Sequence, residues 1–190
     1  MAKPLSRAAL RRWLGGYLLG AVLVFALGVV AGTLLATTLD PGALASFPGG
    51  SPFPEELTFL AILVNNLLAA TVIALGVLTF GLVTALALLF NGLLLGLVLT
   101  FASAELGLAT ALALVVPHGV LELPALWIVG AVVFRVVHRG VRYLRRTDDA
   151  LLTREEALEA AALLGVAALL IVVAAWIEAN VTTAVAEAAT

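Results

Sequence analysis

Five long apolar stretches alternate with short polar or glycine-rich segments along this 190-residue chain. The stretches lie at about residues 14–37, 57–76, 82–102, 107–135 and 157–177. Each has about twenty residues or more, enough for an α-helix to cross a hydrocarbon core of about 30 Å. The pattern therefore predicts an all-α membrane protein, in which residues 1–190 form a single transmembrane domain of about five helices.

The segments between the stretches carry residues typical of turns and helix ends. A loop rich in Pro, Gly and Ser spans residues 39–56, and "GVLTFG" at residues 76–81 predicts a tight turn. "SAEL" at residues 103–106 separates the third and fourth stretches. Thr153 and Glu156 have the spacing of a capping box, which predicts that a new helix begins there.

Charge fixes the expected orientation of the chain. All ten basic residues lie in two groups, and none lies between Arg12 and Arg135. The positive-inside rule places both groups in the cytoplasm, so an even number of spans must separate them. The N-terminus is then cytoplasmic, the Arg-rich connection at 135–156 is also cytoplasmic, and the C-terminus lies outside. A cleaved signal peptide ending near residues 43–45 is disfavoured, because the first apolar run exceeds the usual 7–15 residues.

Composition narrows the classes of protein that remain. Hydrophobic residues make up 63% of the chain and charged residues 12%, whereas a soluble domain carries about 25% charge. The chain has no cysteine, which excludes disulfides and thiolate ligands. Motifs such as HExxH, GxSxG and the P-loop are also missing. We therefore expect no enzyme activity, no cofactor and no nucleic-acid partner, and the lipid bilayer as the surrounding solvent.

Six polar side chains nevertheless fall within the spans or at their ends: Asn65, Asn66, Asn91, His118, Glu122 and Glu178. His118 and Glu122 are four residues apart, so they share one face of a helix. Because buried polar groups need partners, the six residues either bond to one another across the bundle or form an intramembrane polar site. No metal site is predicted. His118 and Glu122 supply two ligands, Glu178 adds a third only if the helices converge, and a closed zinc site takes four.

The fourth span contains three residues that disturb helices: Pro117, Gly119 and Pro124. Each proline lacks a backbone N–H and disturbs the preceding turn. The sequence therefore predicts a fourth helix broken at residues 117–119, either kinked or divided into a re-entrant half-helix and a full helix. Broken backbone at membrane depth must be buried in protein or line a wet cavity, so this motif should face inward.

Small residues four apart predict where helices pack closely: Gly16 and Gly20, Gly28 and Gly32, and Gly92 and Gly96. These pairs serve either packing within one chain or a homodimer interface along the first span. Arginines at helical spacing, Arg135, Arg139, Arg142 and Arg146, extend the fourth helix past the membrane. Their face would contact an acidic partner or anionic lipid, unless it is only a topology signal.

Three segments carry a resemblance to a known family: "NGLLLG" at residues 91–96, "PHGVLELPAL" at 117–126 and "AAWIEANVTT" at 174–183. They resemble the signature segments of the stage II sporulation protein M family, and the similarity covers roughly residues 10–185. The resemblance implies a multi-pass protein of the plasma membrane of a bacterium or archaeon. In spore-forming bacteria the named member anchors peptidoglycan-degrading partners.

Two functions follow as hypotheses. The first is a membrane scaffold or anchor for other membrane or membrane-associated proteins, with homodimerisation as a further option. The alternative is a transporter or channel subunit with an intramembrane polar site around His118 and Glu122, because a broken helix facing polar residues is the arrangement of a midplane binding site.

Overall fold

The computed structural model describes residues 5–39 and 58–182. Within these residues, the regular structure is entirely helical: α1 (Arg7–Ala36), α2 (Phe59–Leu75), α3 (Leu82–Leu106), α4 (Leu108–Leu144) and α5 (Arg154–Ile177). All five are long and apolar enough to cross a membrane, when α2 is taken with the short turn that follows it. The predicted all-α class with five spans is confirmed. Lys3, most of the predicted loop at 39–56 and the tail at 183–190 lie outside the described residues.

Side-chain caps explain where three of the helices begin. The Ser6 hydroxyl accepts a hydrogen bond from the backbone N–H of Ala9 at 3.1 Å, and Thr58 caps α2 in the same way. At α5, the Thr153 hydroxyl accepts from the Glu156 N–H, while the Glu156 carboxylate accepts from the Thr153 N–H. Each cap satisfies donors that a helix start leaves without partners. The predicted capping box is confirmed.

The chain reverses direction between α2 and α3 within the segment "GVLTFG". A 3₁₀ turn over Gly76–Thr79 is followed by Phe80 and Gly81, both with positive φ (53° and 87°). Two left-handed residues in succession turn the backbone sharply, and glycine adopts this conformation at no steric cost. The Thr84 hydroxyl then donates to the Ile73 carbonyl at 2.7 Å, which ties the start of α3 to the end of α2.

Close packing of α1 against α3 depends on four glycines. Gly28 and Gly32 lie against the α3 backbone, and Gly92 and Gly96 lie against the α1 backbone. A Cβ atom at any of the four would collide with a main-chain atom of the other helix. Two of the predicted glycine pairs therefore interlock with each other inside one chain, where lost side-chain volume lets the backbones approach.

The third pair, Gly16 and Gly20, does not take part in this packing. No atom lies within 4 Å of a Cβ built at either position. Both follow Gly15, where α1 departs from helical geometry (φ −18°, ψ −117°) and bends. The segment before the bend carries Arg12 and Trp13 onto α4 and α5. A homodimer interface along this part of α1 stays a prediction.

The predicted break in the fourth helix is not found. α4 is one continuous α-helix from Leu108 to Leu144 with Pro117 and Pro124 inside it. Each proline removes one hydrogen bond from a long ladder, which the remaining bonds sustain. The two prolines are seven residues apart, so they lie on nearly the same face of the helix.

An apolar core lies across the middle of the bundle, where all five helices contribute buried side chains: Ala21, Ile73, Leu88, Ala125, Leu126, Val129, Ala167 and Ile171. A smaller cluster of Trp13, Val132, Ala160 and Leu163 lies nearer the arginine-bearing end. The core therefore separates two polar regions, one toward each end of the helices.

Candidate functional site

A cavity of about 320 Å³ lies inside the half of the bundle away from the arginines. Its polar lining comes from four places in the chain and consists of Asn65, Asn66, Asn91, His118, Glu122 and Glu178. The rest of the lining is apolar. The structure thus brings together all six polar residues singled out in the sequence, and we refer to this space as the polar cavity.

Three ionisable groups meet in the polar cavity. Each group offers one potential ligand atom, and these three atoms, from His118, Glu122 and Glu178, all lie within 4.8 Å of one another. His118 and Glu122 occupy successive turns of α4, whereas Glu178 follows α5 directly and begins a π-helical turn over Glu178–Thr182. All three side chains are partly buried. The end of α5 therefore converges on α4, which is the condition under which Glu178 can join His118 and Glu122.

The three asparagines differ in their surroundings. Asn66 is 6% exposed and lies beside the Glu122 carboxyl, but its buried Nδ2 makes no hydrogen bond of good geometry within the described residues. Asn91 donates from Nδ2 to the Ala87 carbonyl of its own helix at 2.8 Å. Asn65 is exposed and marks the rim of the cavity. Asn66 is thus the asparagine whose polar atom still needs a partner inside the cavity.

The polar cavity is closed toward the arginine-bearing end. Phe25 and Leu126 line it on that side, and Phe25 packs edge-to-face on Trp127 with ring centroids 5.7 Å apart. Beyond Leu126 lies the apolar core, including Val129 and Ile171, which are at most 4% exposed. The described residues therefore form a pocket in one half of the bundle.

The opposite end of the bundle is held together by ion pairs centred on a buried carboxylate. Glu159 is 1% exposed. Its carboxylate accepts hydrogen bonds from the Trp13 indole at 2.7 Å and from the Arg12 Nε at 3.2 Å, and it also pairs with Arg12 Nη2. Three donors from α1 thereby satisfy a charge buried in an apolar helix, as such a charge requires.

Arg135 links the same helices through α4. Its Nη2 pairs with Glu156 at 3.0 Å and its Nη1 donates to the Arg12 carbonyl at 3.0 Å. The guanidinium also lies over the Trp13 ring, 4.8 Å from the centroid, a cation–π arrangement. We call this region the arginine end. It comprises Arg12, Trp13, Arg135, Glu156 and Glu159, together with the ion pairs of Asp148.

The connection between α4 and α5 is fixed by Asp148. Arg142 donates to it from Nε at 3.0 and 3.1 Å and from Nη2 at 2.8 Å, and Arg139 pairs with it as well. The hydrogen bond from Arg142 holds the pKa of Asp148 below its ordinary value. Arg139 also reaches Glu156 at 3.4 Å. Of the four arginines predicted to face a partner or lipid, only Arg146 has no ion pair within the described residues.

Sequence reasoning missed the acidic members of the arginine end. Glu156 was read as a capping residue only, and neither Glu159 nor Asp148 was singled out. A usable signal was present, because Glu156 and Glu159 are three apart on one face of the fifth span. Two carboxylates on one face of a membrane helix need cationic partners, and the arginine-rich groups were the cations available.

Together these features define an all-helical, multi-pass membrane protein with an internal polar cavity in one half and an ion-paired end in the other. The sequence profile of Stage II sporulation protein M matches residues 7–183, which is nearly the whole chain. The chain belongs to that family. A search of curated proteins and a search of solved structures find no match.

Proposed function

We propose that this protein is a membrane scaffold that holds partner proteins at the cytoplasmic face of a bacterial or archaeal plasma membrane. In this proposal the arginine end lies in the cytoplasm, the N-terminus is on the same side, and the C-terminus is outside. Family membership and the distribution of basic residues support it.

The observation that carries the proposal is a division among the arginines. Arg12, Arg135, Arg139 and Arg142 are held in internal ion pairs, so they form a fixed support. A second set is exposed and has no ion pair within the described residues: Arg7, Arg11, Arg145, Arg146 and Arg154. Cations presented on a rigid support suit an acidic partner, because little side-chain and loop ordering is then lost on binding.

Photo-crosslinking in cells tests the scaffold. A crosslinking amino acid replaces Tyr143, which is 46% exposed beside the second set of arginines. We expect a protein adduct that disappears when Arg145 and Arg146 are both replaced by Glu, and that survives when both are replaced by Lys. Adducts to lipid alone, or a protein adduct unaffected by charge reversal, would argue against an acidic partner at this end.

The polar cavity favours a second candidate, a transporter or channel subunit. Ionisable groups at membrane depth are costly and usually mark a functional site. The closed apolar core below the cavity means that transport would require these helices to rearrange. Proton or ion flux in liposomes that depends on Glu122, measured with wild type beside Glu122→Gln, would support this role.

Both candidates predict unequal effects of substitutions within the polar cavity. Under either, His118→Ala and Glu122→Gln should impair function more than Asn91→Ala, because Asn91 already bonds within its own helix. Stability must be measured in parallel, since removal of one member of a buried polar pair destabilises the bundle by itself. Equal, mild effects from all three changes would mean that the motif has no special role.

A further inference from the structure

We propose that His118, Glu122 and Glu178 bind a divalent transition-metal ion in the polar cavity. The proposal rests on the polar cavity but on neither the scaffold nor the transport role, because binding of an ion can be measured without a partner or a gradient.

The geometry supplies the first argument. Three side chains from two elements place one potential ligand atom each within 4.8 Å of the others. Metal–ligand distances of about 2.0–2.2 Å place tetrahedral ligand atoms about 3.3–3.6 Å apart, so rotation of these side chains closes the difference. The rest of the cavity leaves room for water at the remaining coordination positions.

Charge supplies the second argument. The chain has no Lys or Arg between Arg12 and Arg135, and both of these belong to the opposite end of the bundle. Among the described residues, the cavity lining contains no Lys or Arg, and His118 is the basic side chain beside the two carboxyl groups. A bound dication would take both carboxyl groups as ligands and would offset the negative charge that forms when they ionise.

Asn66 supplies an independent observation. It is 94% buried, lines the same cavity, and its Nδ2 has no hydrogen bond of good geometry within the described residues. The Glu122 carboxyl lies beside this amide without a well-formed hydrogen bond to Nδ2, so the amide can bond to a group that arrives with a ligand. A water on the metal would accept from Nδ2, and the amide oxygen of the flipped side chain would itself be a ligand.

The ligand set identifies the class of ion. Imidazole with carboxylates suits zinc, iron or manganese, whereas calcium and magnesium prefer oxygen ligands throughout. A site of three protein ligands with water in the remaining positions is also the arrangement of open metal sites.

Titration of Zn²⁺ into chelator-stripped full-length protein in detergent tests the proposal, with Co²⁺ as a spectroscopic probe. We expect one ion per chain, a higher melting temperature with Zn²⁺, and a Co²⁺ absorption band in the visible range. Glu122→Gln and Glu178→Gln should each weaken binding at least tenfold. Glu105 is an exposed residue at the end of α3, so the control variant Glu105→Gln should bind Zn²⁺ as wild type does.

Two results would overturn the proposal. One is wild-type protein that elutes as a single species with full helical content and binds no stoichiometric Zn²⁺. The other is equal binding by wild type and Glu178→Gln, which would place the ion elsewhere. Should Glu178→Gln not fold, Glu178→Asp keeps the ligand type, and its altered Co²⁺ spectrum provides the same test. Crosslinking at Tyr143 and liposome flux are scored separately, so failure of the metal site leaves those roles open.

Discussion

Glu159 illustrates what a single charged residue requires in an apolar helix. Its carboxylate is buried, yet it has the Trp13 indole and the Arg12 guanidinium as donors. Burial of such a charge costs desolvation free energy whether or not it has partners. The charge is therefore tolerated only while its hydrogen-bond donors remain to offset that cost. The neighbouring Glu155 reaches Arg12 only at 3.9 Å and its side chain is 60% exposed.

This contrast gives a matched pair of substitutions. Glu159→Gln should lower the free energy of unfolding by about 1–3 kcal/mol, because Arg12 loses a charged acceptor while Gln can still accept from Trp13. Glu155→Gln should change it by less than about 0.5 kcal/mol. Reversible unfolding in mixed micelles measures both. Equal effects would mean that the Arg12–Glu159 pair does not hold α1 to α5.

Asp148 gives the residue-scale prediction for pH. The hydrogen bond from Arg142 lowers the pKa of Asp148 in the folded protein, whereas an aspartate in the unfolded chain has a pKa of about 3.9. The interaction therefore stabilises the connection between α4 and α5 fully above about pH 4, and the stabilisation is lost as pH falls through the folded pKa. Hydrogen exchange of residues 145–153, corrected for intrinsic rates, should lose protection in that acidic range.

Asp149 provides the control for this experiment, because it is exposed and has no ion pair within the described residues. Asp148→Asn should give low protection at every pH, so that the acidic transition disappears. Asp149→Asn should retain the wild-type transition. A transition that persists in Asp148→Asn would assign it to another group.

At the scale of elements, glycines allow the backbones of α1 and α3 to approach each other closely. A Cβ at Gly92 would meet the Phe25 carbonyl, so Gly92→Ala must push two backbones apart. We expect a loss of about 1–3 kcal/mol in the free energy of unfolding, the usual cost of overpacking. Thermal or denaturant unfolding in detergent measures it.

Gly20→Ala is the control for Gly92→Ala, because Gly20 also belongs to a pair of glycines four residues apart. No atom lies near a Cβ at Gly20, and alanine favours helix over glycine by about 1 kcal/mol. The variant should therefore be as stable as wild type or slightly more so. A destabilisation equal to that of Gly92→Ala, accompanied by a change in oligomeric state, would instead place Gly16 and Gly20 in an interface between two copies.

The sequence predicted the positions of the helices better than the contacts between them. Hydrophobic length gave the five helices, and Thr153 with Glu156 gave a helix start, because both signals are local. The break at Pro117 was not confirmed, because the many other backbone hydrogen bonds of a 37-residue helix can keep it continuous where a proline removes one. The six cavity residues could be named, whereas the pairing of Arg12 with Glu159 depends on packing between distant helices.

For the whole molecule, polarity is layered along the bundle axis. The arginine end, the apolar core and the polar cavity follow one another, while leucines of α1 such as Leu19, Leu23 and Leu27 face outward and are 59–63% exposed. Exposed leucines are favourable only where lipid surrounds them. This layering suits a bundle embedded in a bilayer, and the positive-inside rule predicts that the arginine end faces the cytoplasm.

The orientation can be tested without background, because the chain has no cysteine. Asp149→Cys lies in the α4–α5 connection at the arginine end, and Glu105→Cys lies where α3 meets α4 at the other end; both positions are exposed. A membrane-impermeant maleimide should label Glu105→Cys on intact cells, and Asp149→Cys only after permeabilisation. The reverse pattern would invert the protein and place the polar cavity in the cytoplasmic half. Labelling of both sites from one side would contradict the crossing of α4, since one helix of 37 residues separates them across the membrane.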